Sequence, residues 1–332
     1  MKKITIFGSI AIAMLTCIGF TACNNDVIET PEPETYTVKL GWAGEILDVS
    51  YEPMTRATTD DLYGIQVYSL PKSAGSTVEW TPYAYGLFDD PNNITITLQS
   101  GYKYKFVATI VKNGKKKLNY SKGVTPTFYF APFVLNNSNS YLTNKFDYQV
   151  SIYFGYSQYG TAYLANPEEI YDRPNVERFY GELSNYIPNE SSNLKIDMKR
   201  ASFGAKFIAT GKLAVDGKLE IQLDNAPKME LALTAGADEI SDIFTFYEVK
   251  SAWAKDDYTE DVNVSLNWNR IDGTVQPLGT HLVTFKRNTT TVVEVKIDKN
   301  GNDEGVDLDI PSSETGNMAN GNTVTINDGE MQ

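Results

Sequence analysis

Apolar residues recur at every second position along much of the chain. Val38, Leu40 and Trp42 alternate with Thr37, Lys39 and Gly41, and Ile94, Ile96 and Leu98 with Thr95, Thr97 and Gln99. Tyr102, Tyr104, Phe106, Ala108 and Ile110 keep the same period up to an Asn113-Gly114 turn, and Phe146, Tyr148, Val150, Ile152 and Phe154 form another run. Later come Leu219/Ile221/Leu223, Val262/Val264/Leu266/Trp268, Val293/Val295/Ile297 and Val324/Ile326. Alternation over four or more residues marks strands with one face in a core and the other in water. Ser-Gly, Asn-Gly and Asp-Gly turns separate these runs, which predicts β-sandwiches. No stretch holds a helical i, i+3, i+4, i+7 pattern for three turns. The expected fold is all-β, with two tandem antiparallel β-sandwich domains at residues 37–165 and 194–310.

The pattern breaks between Ala165 and Asn193, where Pro167, Pro174 and Pro188 stand among polar residues. This stretch is expected to be an inter-domain connection over residues 166–193, with one short helix at Pro167–Tyr171. Residues 298–323 are rich in Asn, Gly, Asp and Ser, so 311–332 is expected to be a flexible tail ending in the strand-like Thr323–Ile326. An isolated terminal strand is not stable alone and needs a partner.

The first 22 residues differ in kind. Lys2 and Lys3 precede an apolar run from Ile4 to Phe20, and small residues follow, which describes a secretory signal and not a span. Phe20-Thr21-Ala22-Cys23 resembles a bacterial lipobox, after which Cys23 becomes the acylated (palmitate-bearing) first residue of the mature chain. An ordinary cleaved signal is the alternative. Cys17 is the poorer lipidation candidate, because Thr16 is large for the residue before a cut. Residues 23–36, with Pro31-Glu-Pro-Glu34, are expected to be a lipidated tether.

Charge and cysteine content narrow the function. The chain of 332 residues carries 29 basic and 42 acidic residues, a net charge of -13. Loss of Lys2 and Lys3 with the signal leaves 27 basic residues against 42 acidic ones. Nucleic acid and anionic lipid headgroups would repel such a protein, so the acyl chains on Cys23 must supply its membrane affinity. Cys17 leaves with the signal and Cys23 is lipidated, so the mature chain forms no internal disulfide. One His and no free thiol remain, which removes most nucleophilic and zinc chemistry.

The remaining candidates each have a plain structural reading. His281 shares a strand face with Val283 and Phe285 and is expected to be a packed or rim residue. The acidic pairs Asp60-Asp61, Asp89-Asp90, Glu168-Glu169 and Asp256-Asp257 read as charged turns, since glycosidase chemistry needs two carboxylates facing across a cleft. Asp298-x-Asn300-x-Asn302 with Asp309 loosely imitates a calcium loop, but Asp303 stands where that loop needs glycine. Lys112-Asn-Gly-Lys-Lys-Lys117 reads as a solvated hairpin tip. Tyr153, Tyr156, Tyr159 and Tyr163, and Trp80 with Tyr83, Tyr85 and Phe88, are candidates for an aromatic patch that stacks on sugars or anchors a protein. No catalytic residue, cofactor or metal is expected, and the chain is expected not to be an enzyme.

Tyr51–Asp61 is more specific: an exposed polar loop around Thr55-Arg56-Ala57-Thr58, between a first strand and Leu62-Tyr-Gly-Ile-Gln-Val-Tyr68. With the lipobox and acidic tether, these residues resemble the fimbrillin-like lipoproteins of Bacteroidales. Met198-Lys-Arg200 followed by Phe203-Gly-Ala-Lys-Phe-Ile208 is similar to the strand that opens that family's C-terminal domain. The resemblance implies two transthyretin-like sandwiches and a role in surface fimbriae, on the outer membrane or in the fimbrium. It implies cleavage between Arg56 and Ala57 by an Arg-specific protease, loss of the strand bearing Val38, Leu40 and Trp42, and its replacement by a terminal strand of the next subunit. Val324 and Ile326 would belong to a donor or self-complementing strand. Partners would be other fimbrial subunits or a second copy, and a host protein or glycan. The alternative is a non-enzymatic glycan-binding lipoprotein beside a nutrient importer.

Overall fold

The computed structural model describes residues 33–47, 60–121, 127–128, 132–133, 140–148, 158–166, 169–189, 193–210, 217–233, 238–297 and 319–320. Cys23, Arg56, Ala57, Tyr153, Tyr156, Val324, Ile326 and the calcium-like segment 298–309 lie outside the described residues.

The first half contains β1 (Thr35–Gly44), β2 (Leu62–Pro71), β3 (Thr81–Phe88), β4 (Thr95–Gln99), β5 (Tyr102–Val111), a single helical turn α1 (Gly114–Lys117), β6 (Arg178–Tyr186) and β7 (Asn193–Arg200). Its strands join in the order β3-β2-β5-β6-β7-β1-β4. The link between β6 and β7 is short, made by the pairs Phe179↔Arg200 and Tyr180↔Lys199. At that link the sheet folds over on itself. One buried cluster takes Ile65, Phe106 and Phe179 from one arm and Leu40, Ile96 and Ile196 from the other. Two layers facing one core make this half a sandwich.

The second half contains β8 (Ser202–Thr210), β9 (Lys218–Leu223), β10 (Met229–Ala232), β11 (Asp238–Thr245), the short helix α2 (Val249–Ala254), β12 (Thr259–Asn269), β13 (Val275–Lys286) and β14 (Thr289–Lys296). One sheet runs β11-β8-β14, extended by the pair Ala319–Asn320, and the other runs β10-β9-β12-β13. Phe203, Phe207, Leu219, Trp268, Phe285 and Val293 fill the space between them. Val107 and Tyr180 of the first half belong to the same cluster. Tyr180 meets Trp253 of α2 edge-on at 5.7 Å, and the described residues from Glu34 onward belong to one compact unit.

Three expectations need correction. Residues 166–193 are not a bare connection, since β6 lies within them and is buried along Arg178–Gly181. The next strand, β7, completes the first sandwich, so the second begins near Ala201 and not at residue 194. The prolines misled because β6 does not alternate: Phe179 and Tyr180 are both buried, one in each half's core. Instead of the helix expected at Pro167–Tyr171, Ile170–Tyr171 forms a short strand paired with Ala162–Tyr163. Nor are the sheets wholly antiparallel. β1 runs parallel to β7, and β8 runs parallel to β14, so each half sets its first strand beside its last. Alternation along a strand is blind to its neighbour's direction.

Candidate strand-exchange site

β1 is the first described strand and lies inside the sandwich. Along Thr35–Lys39 it pairs antiparallel with β4, from Thr35↔Gln99 to Lys39↔Thr95. Along Lys39–Gly44 it pairs parallel with β7, from Lys39↔Asn193 to Gly44↔Met198. Among the described residues it is the only sheet neighbour that β4 has. Strict alternation turns Val38, Leu40 and Trp42 into the core at 0, 1 and 8 % exposure, where the Trp42 indole stacks on Tyr63 at 5.5 Å. The predicted inward face of this strand is therefore the observed one. Without β1, backbone donors and acceptors along β4 and β7 lose their partners and an apolar groove opens between them.

The segment after β1 is held at both of its ends. On the near side, Gly44 adopts a left-handed conformation (φ 78°), where a Cβ would sit 2.1 Å from Asp197 Oδ1. Glycine alone fits there. The turn carries Glu45 into a crevice between the two halves. Its carboxylate accepts hydrogen bonds from Arg287 Nη1 at 2.8 and 2.6 Å and from the Arg200 backbone N–H at 2.7 Å. Arg287 is 4 % exposed and stands in the turn between β13 and β14, which belong to different sheets of the second half. Arg200 is also buried and donates to Glu177 at 2.8 Å and to Asn288. Asp256, 78 % exposed, lies 3.6 Å from Arg287, but the Lys199 ammonium hydrogen-bonds it and holds its carboxyl below the ordinary range.

On the far side, Asp61 is 1 % exposed and receives the Lys112 ammonium and, at 2.8 Å, the Asn113 backbone N–H. Lys116 pairs with Asp60 at 2.6 Å, Lys115 with Asp89 at 2.5 Å, and Lys117 donates to the Asn175 carbonyl at 2.9 Å. The basic run expected as a solvated hairpin tip is thus a clamp. Asn113 takes a left-handed conformation (φ 53°), which lets the next residues curl as α1 onto the start of β2. Asp60, Asp61 and Asp89 supply the clamp's other half, while Asp90 instead accepts from Asn92 and Asn93 in its own turn.

The other sequence candidates do not gather here. His281 is half-buried on β13, with Nε2 3.0 Å from the Leu278 carbonyl oxygen. Tyr83 packs edge-on against Tyr104 at 5.1 Å and Tyr148 at 5.6 Å. Tyr83 donates its hydroxyl to the Thr97 carbonyl, and the Tyr148 oxygen accepts from Thr97 N–H. Those rings close the sandwich edge and form no flat platform. Phe88 is buried against Phe146, and Lys103 lies over the Trp80 ring. Tyr159 and Tyr247 stack at 5.2 Å on the surface. Among the described residues, no group of three or more His, Cys, Asp or Glu side chains could hold a metal.

No protein-family model matches the sequence, and no curated protein matches it. Solved structures do. A candidate adhesin from Bacteroides ovatus is 12 % identical with a TM-score of 0.36, over 82 % of this chain and 88 % of that one. The fimbrial anchor protein Mfa2 from Porphyromonas gingivalis is 6 % identical with a TM-score of 0.35, over 82 % and 93 %. The tip fimbrial protein Mfa3 of the same organism, in a C-terminally truncated form, is 10 % identical with a TM-score of 0.32, over 80 % and 96 %. These structural neighbours are fimbrial and adhesin proteins.

Glu45 and Arg287 escaped sequence reasoning, as 242 positions separate them. The one local signal was Gly44, a glycine at the end of an alternating run.

Proposed function

We propose that this chain is a structural or adhesive component of a cell-surface fimbrium, made as a lipoprotein acylated at Cys23 and built to exchange its first strand, with the lipid leaving on that strand. The placement of β1 carries the reading. The first described strand lies between β4 and β7, and the segment that ties it to β2 contains Arg56. Cleavage after Arg56 would free β1, while Asp60 and Asp61 would keep β2 docked through the lysine clamp. The vacated groove would then accept an extended strand from a neighbouring subunit, restoring the backbone pairing and filling the positions of Val38, Leu40 and Trp42. Such a contact is head-to-tail, so it builds open filaments and not closed dimers. The role needs no enzyme chemistry and no cofactor.

The N-terminal residue and the mass of the protein recovered from cell surfaces test this reading. A start at Ala57 without acyl groups supports strand release. A start at acylated Cys23 in all assembled material overturns it and leaves an anchor or accessory role with β1 retained.

A further inference from the structure

We infer that the strand entering this groove must bring a carboxylate, which the buried guanidinium of Arg287 selects. The inference rests on the strand-exchange reading and adds a chemical requirement on the partner. Release of β1 removes Glu45 along with Val38, Leu40 and Trp42, since all four precede Arg56. Arg287, 4 % exposed while Glu45 covers it, would stay behind with the Arg200 carbonyl at 3.2 Å and the Asp256 carbonyl at 3.4 Å as its closest remaining acceptors among the described residues. The Asp256 carboxylate at 3.6 Å is exposed and already hydrogen-bonded to Lys199. The Arg200 N–H that Glu45 now receives would also lose its acceptor. A buried cation stripped of its carboxylate is strongly destabilising, whereas a paired one is tolerated.

The groove thus has two parts with different chemistry. Its length asks for apolar side chains at three alternate positions, a pattern shared by many strands. Its end asks for one acidic side chain three residues beyond the last apolar one, following a residue able to adopt the left-handed turn of Gly44. β1 itself displays that specification as Val38-x-Leu40-x-Trp42-x-Gly44-Glu45. Apolar burial would supply affinity, and the arginine would supply register and choice of partner. A strand shifted by two residues still fills the apolar positions but places no carboxylate at Arg287. The occupant is therefore an acidic-ended strand of another subunit, running parallel to β7.

The test uses the mature full-length chain cut after Arg56 by an Arg-specific protease. Fluorescein-labelled peptides of residues 35–47 compete with the resident strand, and anisotropy reports binding. The native peptide is expected to bind at least about thirtyfold more tightly than its Glu45→Gln form, the low end of the effect seen when a buried ion pair loses one partner. On an Arg287→Met chain that ratio should fall towards one. If that variant fails to fold, the two peptides on the unaltered chain still decide the matter. Equal binding of the Glu45 and Glu45→Gln peptides overturns the carboxylate requirement and leaves strand exchange intact. Failure of both, with a Leu40→Asp peptide as the non-binding control, overturns strand exchange and the requirement with it.

Discussion

Leu40→Ala should behave differently before and after assembly. Leu40 is 1 % exposed and packs in the cluster that holds Trp42, Ile96 and Ile196. Its truncation leaves a cavity between two sheet layers that backbone pairing on both edges of β1 prevents from closing. Buried Leu→Ala changes cost about 2–5 kcal/mol, and this enclosed site should fall within that range. Urea unfolding of the unassembled mature chain, followed by tryptophan fluorescence, measures the loss; Leu219→Ala, fully buried in the second half, provides a matched control. On the proposed strand exchange a neighbour's strand would replace β1, and residue 40 would no longer be part of the molecule. The resistance of assembled filaments to denaturant should then be unchanged by Leu40→Ala and still reduced by Leu219→Ala. A cost below about 0.5 kcal/mol in the unassembled chain, the range of a surface change, would show that β1 is not a core strand. Equal penalties for both variants in filaments would show that β1 never leaves.

Arg56→Ala should abolish assembly without changing stability; filaments of normal length from that variant would remove cleavage from the mechanism. Lys112→Met leaves the nearly inaccessible Asp61 carboxyl without its ammonium partner, which should cost about 3 kcal/mol and speed hydrogen exchange at the start of β2. Unchanged exchange there would mean that the lysine turn is not a clamp. Trp42→Phe should alter stability by less than about 1 kcal/mol, because the lost ring area is offset by removal of an indole N–H that is buried without a partner among the described residues. A loss as large as that of Leu40→Ala would contradict this balance. On β9, the Lys228 ammonium at 2.9 Å holds the Glu220 carboxyl below its ordinary range. The stability from that pair is complete above the unfolded carboxyl's pKa and disappears as pH falls through the lowered folded value, so Lys228→Gln should flatten the acid limb of a stability profile. An acid limb identical to that of the unaltered chain would discount the pair.

Much of this protein follows from local rules. Side chains on a strand alternate between faces whatever surrounds them, so the inward faces of β1, β4, β5, β9, β12 and β14 could be assigned from residue order. The conformational demands of Asn113-Gly114 mark a turn for the same reason. Strands that depart from alternation were harder to see. β2 is buried on nearly every residue, and β6 divides its buried residues between two cores.

What only the tertiary structure decided is who stands next to whom. Period-two order names a strand's buried face but carries no information on the direction or identity of its neighbours, so the parallel β1–β7 and β8–β14 pairs could not be read from it. The same holds for charge. Lys112–Lys117 and Asp60-Asp61 looked like two solvated turns, and the fold brought them together as a clamp. Glu45 and Arg287 are the extreme case: a free energy of pairing depends on distance and burial, and both quantities for residues 242 positions apart exist only once the chain has folded. The sequence by itself determined that a strand with an alternating apolar face precedes a polar segment containing Arg56. The tertiary structure decided that this strand lies between β4 and β7 and ends against a buried cation.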